Sequence, residues 1–454
     1  MERISCFKAY DIRGQVPRDL NEDLVYRLGR GFAALFSPGS VALGRDIRLS
    51  SPALALALSR GFQDSGVDVC DIGICGTEMV YFAVPHLALG GGIMITASHN
   101  PPEYNGIKLV REHSIPVSGD SGLRDLESLV AENAFPPPPE RRGSHEQRDI
   151  TEAFISHLLG FIDVTAIRPL KVVANGGNGC AGPLVERLAD RLPVEMVRLH
   201  FTPDGSFPHG VPNPLLPENR LDTSRAVLSA GADLGVAWDG DYDRCFFFDE
   251  KGEFIEGYYI VGLLAKAMLM AHPGEKIIHD PRLTWNTVSI VKGAGGTPVL
   301  SKTGHAFIKE RMRKENALYG GEMSAHHYFR DNFFCDSGMI PFLLVLSLLS
   351  KEGKPLSSLI HEMKEQYPVS GEINMTVENP GDALRLVESR FIGGIRDYTD
   401  GLSIEFDRWR FNVRPSNTEP LLRLNVETRG DRTLLAAKTT ELLALLGKED
   451  KTVQ

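Results

Sequence analysis

Apolar side chains recur at Leu24, Leu28 and Phe32, a four-residue spacing that predicts a helix from Asn21 to Phe36. Short apolar runs at Val41–Gly44, Val67–Asp71 and 91–96 read as strands, and a second helical stretch covers Ser51 to Ser65. Strand and helix alternating in this way predict a largely parallel sheet with both faces covered. The alternation resumes with a helix starting near Asp149 and strands at Lys171–Ala174, Val194–Leu199 and Leu234–Trp238. From Gly252 onward it continues through a helix at Tyr258–Met270, a strand at Lys276–His279 and a helix at Ala306–Glu315. The longest apolar run, Met339 to Leu349, is interrupted by Pro341 and Ser347 and is too short to span a bilayer, so it predicts a buried helix. After Tyr367-Pro368 strands dominate, at Ser370–Val377, Leu402–Phe406, Trp409–Val413 and Pro420–Glu427. Helices at Asp382–Ser389 and Leu434–Leu446 complete a small α+β domain on a mainly antiparallel sheet.

The clearest linker is Ala134 to Ser144, where four successive prolines stiffen the chain and remove ladder donors. A chain of 454 residues accommodates three or four domains. The pattern places their boundaries at 1–148, 149–251, 252–366 and 367–454.

A formal charge of −10 argues against a general nucleic-acid binder or anionic-membrane binder, so any anionic substrate needs a local basic site. The six cysteines are scattered without C-x2-C spacing, which suits free thiols in a reducing compartment. The first residues lack the apolar core of a signal peptide, and a cytoplasmic location is expected. Nothing in the pattern chooses between monomer and dimer.

Several polar loops follow predicted strands. Ser98, His99 and Asn100 end the run Gly91–Thr96 and are stopped by Pro101 and Pro102. A hydroxyl beside an imidazole at a strand end is where α/β enzymes place reacting groups, although Ser98 and Asn100 could also bond only their own turn. Asp239, Asp241 and Asp243 alternate in the loop after Leu234–Trp238; carboxylates so crowded repel unless a cation sits among them, and phosphate nearby would favour Mg²⁺. An EF-hand is excluded because Arg244 occupies its required glycine and strands flank the loop. Gly177-x-Gly179-x-x-Gly182 fits a dinucleotide fingerprint formally, but the next strand ends Arg198-Leu-His200 with no acid to hold a ribose. Thr303-Gly304-His305 opens a helix, Glu322 and Ser324 follow the strand Ala317–Tyr319, and Arg414, Ser416, Asn417 and Thr418 form a strand-ending loop suited to phosphate or to a capped turn.

Taken in order, Tyr10-Asp11-Ile12-Arg13-Gly14, TASHNP at 96–101, DGDYDR at 239–244, GEMSAH at 321–326 and RPSNTEP at 414–420 resemble the α-D-phosphohexomutase family over nearly the whole chain, closest to its bacterial phosphomannomutase branch. The resemblance implies an α/β protein of four domains around a central cleft, three related mixed α/β units and a smaller α+β unit. It implies that Ser98 carries a phosphoryl group and that Asp239, Asp241 and Asp243 hold one Mg²⁺ with an oxygen at Ser98. By the same match Glu322 and Ser324 contact sugar hydroxyls, and Arg414, Ser416, Asn417 and Thr418 bind the phosphate not being transferred. His99, Asn100, Lys108, Arg244, His305 and His326 fall at further catalytic or binding positions, and Tyr10 and Arg13 border the cleft. The implied reaction interconverts mannose 6-phosphate and mannose 1-phosphate through a hexose 1,6-bisphosphate, which also serves as activator; glucose phosphates stay open as substrates. Two departures stand out. Ala325 replaces a frequent glycine, and Arg282 lies where some relatives use lysine, with no role carried onto it. Glucose- and glucosamine-phosphate mutases of the same family remain alternatives, and an NAD-dependent oxidoreductase built on the Gly177–Gly182 turn is the competing reading from another class.

Overall fold

A computed structural model describes residues 3–415 and 421–447. The chain divides into two bodies. The first comprises the chain up to Ile255 together with 326–356; the second comprises Glu256–Ala325 and the chain from Ser357 onward.

In the first body, one sheet runs in the order Ile12–Gln15, Tyr104–Arg111, Gly91–Ile95, Ser40–Arg45, Asp68–Ile74, His145–Gln147. The last four strands are parallel, as the alternation predicts, but Tyr104–Arg111 returns antiparallel beside Gly91–Ile95 and carries Ile12–Gln15 on its other edge. The sheet is therefore mixed rather than largely parallel. Leu58, Phe62, Ile93, Ile95 and Ile107 fill its core with Val25 and Phe32 of the helix Glu22–Phe36, which Asn21 caps through its side chain. That helix meets Ser51–Gln63 at Gly29 and Gly61, where an added Cβ would lie 2.7 and 2.2 Å from the facing carbonyls.

A second sheet has Phe254–Ile255, Cys245–Phe248, Leu234–Trp238, Leu170–Asn175 and Val194–Leu199 in that order. Leu170–Asn175 is parallel to both its neighbours, whereas Leu234–Trp238 and Cys245–Phe248 form an antiparallel hairpin. The run from Met339 is a helix to Glu352, buried along most of its length.

In the second body Lys276–His279 pairs parallel with Thr297–Leu300 and with Tyr319–Gly321. The last of these strands starts two residues later than its apolar run predicts. A five-stranded antiparallel sheet follows, ordered Ile373–Thr376, Leu421–Thr428, Trp409–Pro415, Leu402–Glu405, Ile395–Asp397, over a core of Ile404, Phe411, Val413, Leu422, Leu424 and Val426. No helix of the described residues is long and apolar enough to cross a membrane.

Candidate active site

Two hairpins meet tip to tip in the first body. One connects Gly91–Ile95 to Tyr104–Arg111 and bears Ser98; the other connects Leu234–Trp238 to Cys245–Phe248 and bears Asp239, Asp241 and Asp243. The approach is so close that a Cβ on Gly240 would lie 2.5 Å from the Ser98 carbonyl oxygen. Glycine is required there for space. The Gly177–Gly182 turn backs this contact: the Cys180 N–H donates to the Gly240 carbonyl at 2.9 Å, and a Cβ on Gly179 would crowd that same carbonyl at 2.8 Å. A Cβ on Gly182 would lie 2.0 Å from the Phe201 carbonyl. These glycines serve backbone packing, and the dinucleotide reading loses its footing.

Ser98 sits at φ 49°, a left-handed conformation that costs a serine roughly 1–3 kcal/mol and must be held from outside. Its N–H donates to Thr96 Oγ1 at 2.9 Å. Arg48, entirely buried, fans its guanidinium onto the carbonyls of Ser98 (3.0 Å), Asn100 (2.6 Å), Pro101 (2.7 Å) and Tyr104 (2.9 Å). Asp46 pairs with Arg48 Nε at 3.2 Å and supplies the counter-charge. Nothing in the sequence singles out Arg48, because a donor to carbonyls about fifty residues away has no local signature.

The Ser98 hydroxyl donates to Asp239 Oδ2 at 2.6 Å and lies 3.0 Å from His99 Nδ1. Arg244 donates through Nε to Asp239 at 2.9 Å and through a terminal nitrogen to His99 Nδ1 at 2.6 Å. Burial, then Arg244, Arg13 and Lys108, drive the His99 pKa well down, so its imidazole is neutral and accepts. Lys108, on the return strand, reaches Asp241 Oδ2 at 2.7 Å and Asp243 Oδ2 at 2.5 Å. Burial opposes its charge, but Asp241 and Asp243 more than offset that and hold the ammonium protonated. Thr77 begins the helix Thr77–His86 and bonds Asp241 through both its N–H and its hydroxyl, a second support with no sequence signal.

These three aspartates are buried and offer one oxygen each, all within 4.8 Å of one another. Asp241 Oδ1 and Asp243 Oδ1 have no hydrogen-bond partner. Three carboxylates face two cations, Lys108 and Arg244, so a divalent ion bound through oxygen fits both the charge and the orphaned atoms.

Arg13 joins this group from the strand Ile12–Gln15, donating to Asn100 Oδ1 and Asp11 Oδ2, each at 2.6 Å. Tyr10 is half-buried in the bend just before that strand. His326 places Nδ1 3.1 Å from Asp336 Oδ2 and 3.9 Å from Asp243 Oδ1.

The second body gathers a different set. Glu322 accepts from the Gly304 N–H at 3.0 Å, immediately before His305 opens the helix His305–Glu315. Arg282 donates to Ser324 Oγ at 3.2 Å and to Asp280 Oδ2 at 2.8 Å, with Glu322 3.5 Å away. The residue given no role by sequence thus stands between both predicted sugar-contacting side chains. Ala325 takes φ 70°, a conformation natural to the glycine it replaces. Arg414, next to last in the strand Trp409–Pro415, is buried and lies 3.5 Å from Glu372. Ser416, Asn417 and Thr418 lie outside the described residues.

Family models for phosphoglucomutase/phosphomannomutase match in four parts: alpha/beta/alpha domain I over residues 5–136, domain II over 152–252, domain III over 256–367, and the C-terminal domain over 372–442. The chain is 58% identical to the phosphomannomutase of Salmonella typhimurium, covering 99% of this chain and all of that one. It is 56% identical to the phosphohexose mutases protein of Xanthomonas campestris, over 98% of this chain and 99% of that one. Among solved structures, a phosphoglucomutase/phosphomannomutase family protein from Burkholderia thailandensis superposes with a TM-score of 0.88 at 33% identity, covering 99% of each chain.

Proposed function

The chain belongs to the phosphoglucomutase/phosphomannomutase family, the α-D-phosphohexomutases, a four-domain α/β fold, and from that premise we propose that it interconverts mannose 6-phosphate and mannose 1-phosphate. What carries the reading is the Ser98 hydroxyl bonded to Asp239, 141 residues away, inside a group of buried carboxylates and fixed cations. Phosphoryl transfer asks a protein chiefly to position groups and neutralise charge, and this arrangement does both.

In the working enzyme Ser98 carries a phosphoryl group. The free hydroxyl of a bound hexose phosphate attacks it; the Oγ–P bond breaks, a sugar O–P bond forms, the hydroxyl's proton passes to a base, and a proton is returned to the leaving Oγ, which ends as the hydroxyl that bonds Asp239. His326, whose Nδ1 lies 3.1 Å from Asp336 Oδ2, suits that role. The hexose 1,6-bisphosphate then turns end for end, its other phosphoryl returns to Ser98 Oγ, and the isomeric monophosphate leaves. Free bisphosphate rephosphorylates any enzyme that has lost its phosphoryl group, and so acts as activator.

Arg244, 3.5 Å from Ser98 Oγ, and Lys108, bonded to Asp241 and Asp243, would supply positive charge to the oxygens of the transferring group, and neutral His99 completes the hydrogen bonding around Oγ. Asp239, Asp241 and Asp243, with an oxygen at Ser98, would hold Mg²⁺, which supplies further neutralisation of the phosphoryl oxygens. Glu322 and Ser324 read sugar hydroxyls, His305 lies beside them at its helix start, and Arg414 takes the phosphate at rest together with Ser416, Asn417 and Thr418. Arg13 and Tyr10 border the Ser98 loop.

The decisive test is mutase turnover on mannose 1-phosphate and, in parallel, glucose 1-phosphate, with Mg²⁺ and trace hexose 1,6-bisphosphate. Turnover on mannose that vanishes with EDTA and in Ser98→Ala is the expected outcome, and the glucose rate sets the breadth of specificity. A folded, phosphorylated protein with no turnover on either sugar would reject the assignment.

A further inference from the structure

Arg414 and Arg423 face each other directly across the antiparallel strands Trp409–Pro415 and Leu421–Thr428. Like charges in that position repel unless a counter-ion separates them. Glu372, the residue before the strand Ile373–Thr376, supplies one: its carboxylate lies 3.2 Å from Arg423, 3.5 Å from Arg414 and 3.4 Å from Arg282. These contacts are long for charge-assisted bonds, which settle near about 2.7–2.9 Å, and the Arg282–Asp280 pair beside them does reach 2.8 Å. One carboxylate is being shared loosely among three guanidiniums. Burial pushes the Glu372 carboxyl up, but Arg282, Arg423 and Arg414 together outweigh it and keep the group ionised. Its side chain retains 16% exposure, so a competing anion can reach the cluster.

We propose that Glu372 is a built-in counter-ion that occupies the Arg282–Arg414–Arg423 cluster between substrate phosphates and thereby weakens the hold on each phosphate that enters. The inference rests on the reading that Arg414 takes the resting phosphate. Under that reading phosphate must leave Arg414 at least twice per cycle, once when the bisphosphate turns and once when product departs. Without that carboxylate the three guanidiniums would carry more uncompensated charge and would retain it. An ionised carboxylate already in place returns to the arginines as phosphate leaves, so the differential affinity falls and exchange quickens.

Inorganic phosphate is the probe, titrated calorimetrically into wild type, Glu372→Gln, Glu372→Asp and the double variant Glu372→Gln/Arg414→Gln. Glu372→Gln is expected to tighten phosphate binding about fivefold or more by removing the competing charge, with a matching fall in KM for the hexose phosphate. Glu372→Asp keeps the charge and stays near wild type, and the double variant loses the gain. Phosphate binding that is unchanged or weaker in Glu372→Gln would overturn the inference, because a carboxylate that only braces the arginines predicts that result. Glu372→Ser gives the same discrimination if the glutamine variant fails to fold. Wild-type mutase turnover is recorded alongside; its absence would defeat the proposed activity while the phosphate comparison still decided the role of Glu372.

Discussion

Lys108 Nζ lies 2.5 Å from Asp243 Oδ2, on the opposite side of the carboxylate from an Oδ1 that has no hydrogen-bond partner. The ammonium holds one edge of the acidic group and leaves the other edge to a cation. Replacing it with methionine leaves buried carboxylates uncompensated, a loss of about 3–5 kcal/mol for a broken buried pair. Lys108→Met should melt well below wild type without metal and should gain more from added Mg²⁺ than wild type does. Melting curves with and without Mg²⁺ check this; equal metal-induced shifts would refute it.

Arg48 should be irreplaceable by lysine. A single ammonium cannot span four carbonyls that a planar fork reaches together. Arg48→Lys is expected to lower kcat by about 10- to 100-fold while KM moves little, because the loop that presents Ser98 loses its geometry rather than the sugar its contacts. A variant that changes KM alone would assign Arg48 elsewhere.

Gly240→Ala forces the two hairpin tips apart, since the new methyl would stand 2.5 Å from the Ser98 carbonyl. The 2.6 Å bond from Ser98 to Asp239 then cannot persist. Turnover should fall by at least about 100-fold with circular dichroism unchanged, and wild-type-like kinetics would contradict the close approach.

Ala325→Gly should stabilise the protein. An alanine at φ 70° bears a left-handed penalty of about 1–2 kcal/mol, and the glycine gives back about 0.4–1 kcal/mol through its freer unfolded chain. The balance is a gain of up to about 1.6 kcal/mol, read as a higher urea midpoint at constant slope. A lowered midpoint would mean that the methyl group contributes packing that outweighs the strain.

The thiols give a pH dependence. Burial pushes Cys6 and Cys75 up to about 12 from an ordinary value of 9.0. The folded chain keeps these protons longer than the unfolded chain, so their contribution is complete below pH 9 and is lost as pH rises toward 12. At pH 8 a thiol reagent should label only the half-buried Cys70, slowly, and all six cysteines in denaturant. Fast labelling of several thiols in the native protein would contradict their burial.

Local pattern made much of the fold legible. The helix ending at Phe36, the strands Lys276–His279 and Leu234–Trp238 and the start of the helix at Met339 fall where the apolar pattern places them. The return strand Tyr104–Arg111 and the phenylalanine-rich Cys245–Phe248 carry no clear periodic signal, the first because Asn105, Gly106 and Lys108 interrupt its apolar positions and the second because a short continuous apolar run has no period. Those strands make the Ser98 loop and the aspartate loop hairpin tips, which is what lets them meet.

Ser98 with His99, the alternating aspartates and the GEMSAH segment stand out as candidate loops from residue order alone, since each is contiguous and each follows a recognisable strand. The residues that hold these loops in place emerge only in the folded chain. Arg48 on the Ser98 carbonyl, Thr77 on Asp241, Asp336 on His326 and Glu372 among three arginines are pairings of ordinary residues whose identity says nothing until the chain is folded. The physical reason is range: periodicity and capping act over a few residues, whereas burying a charge requires a partner wherever packing happens to bring one.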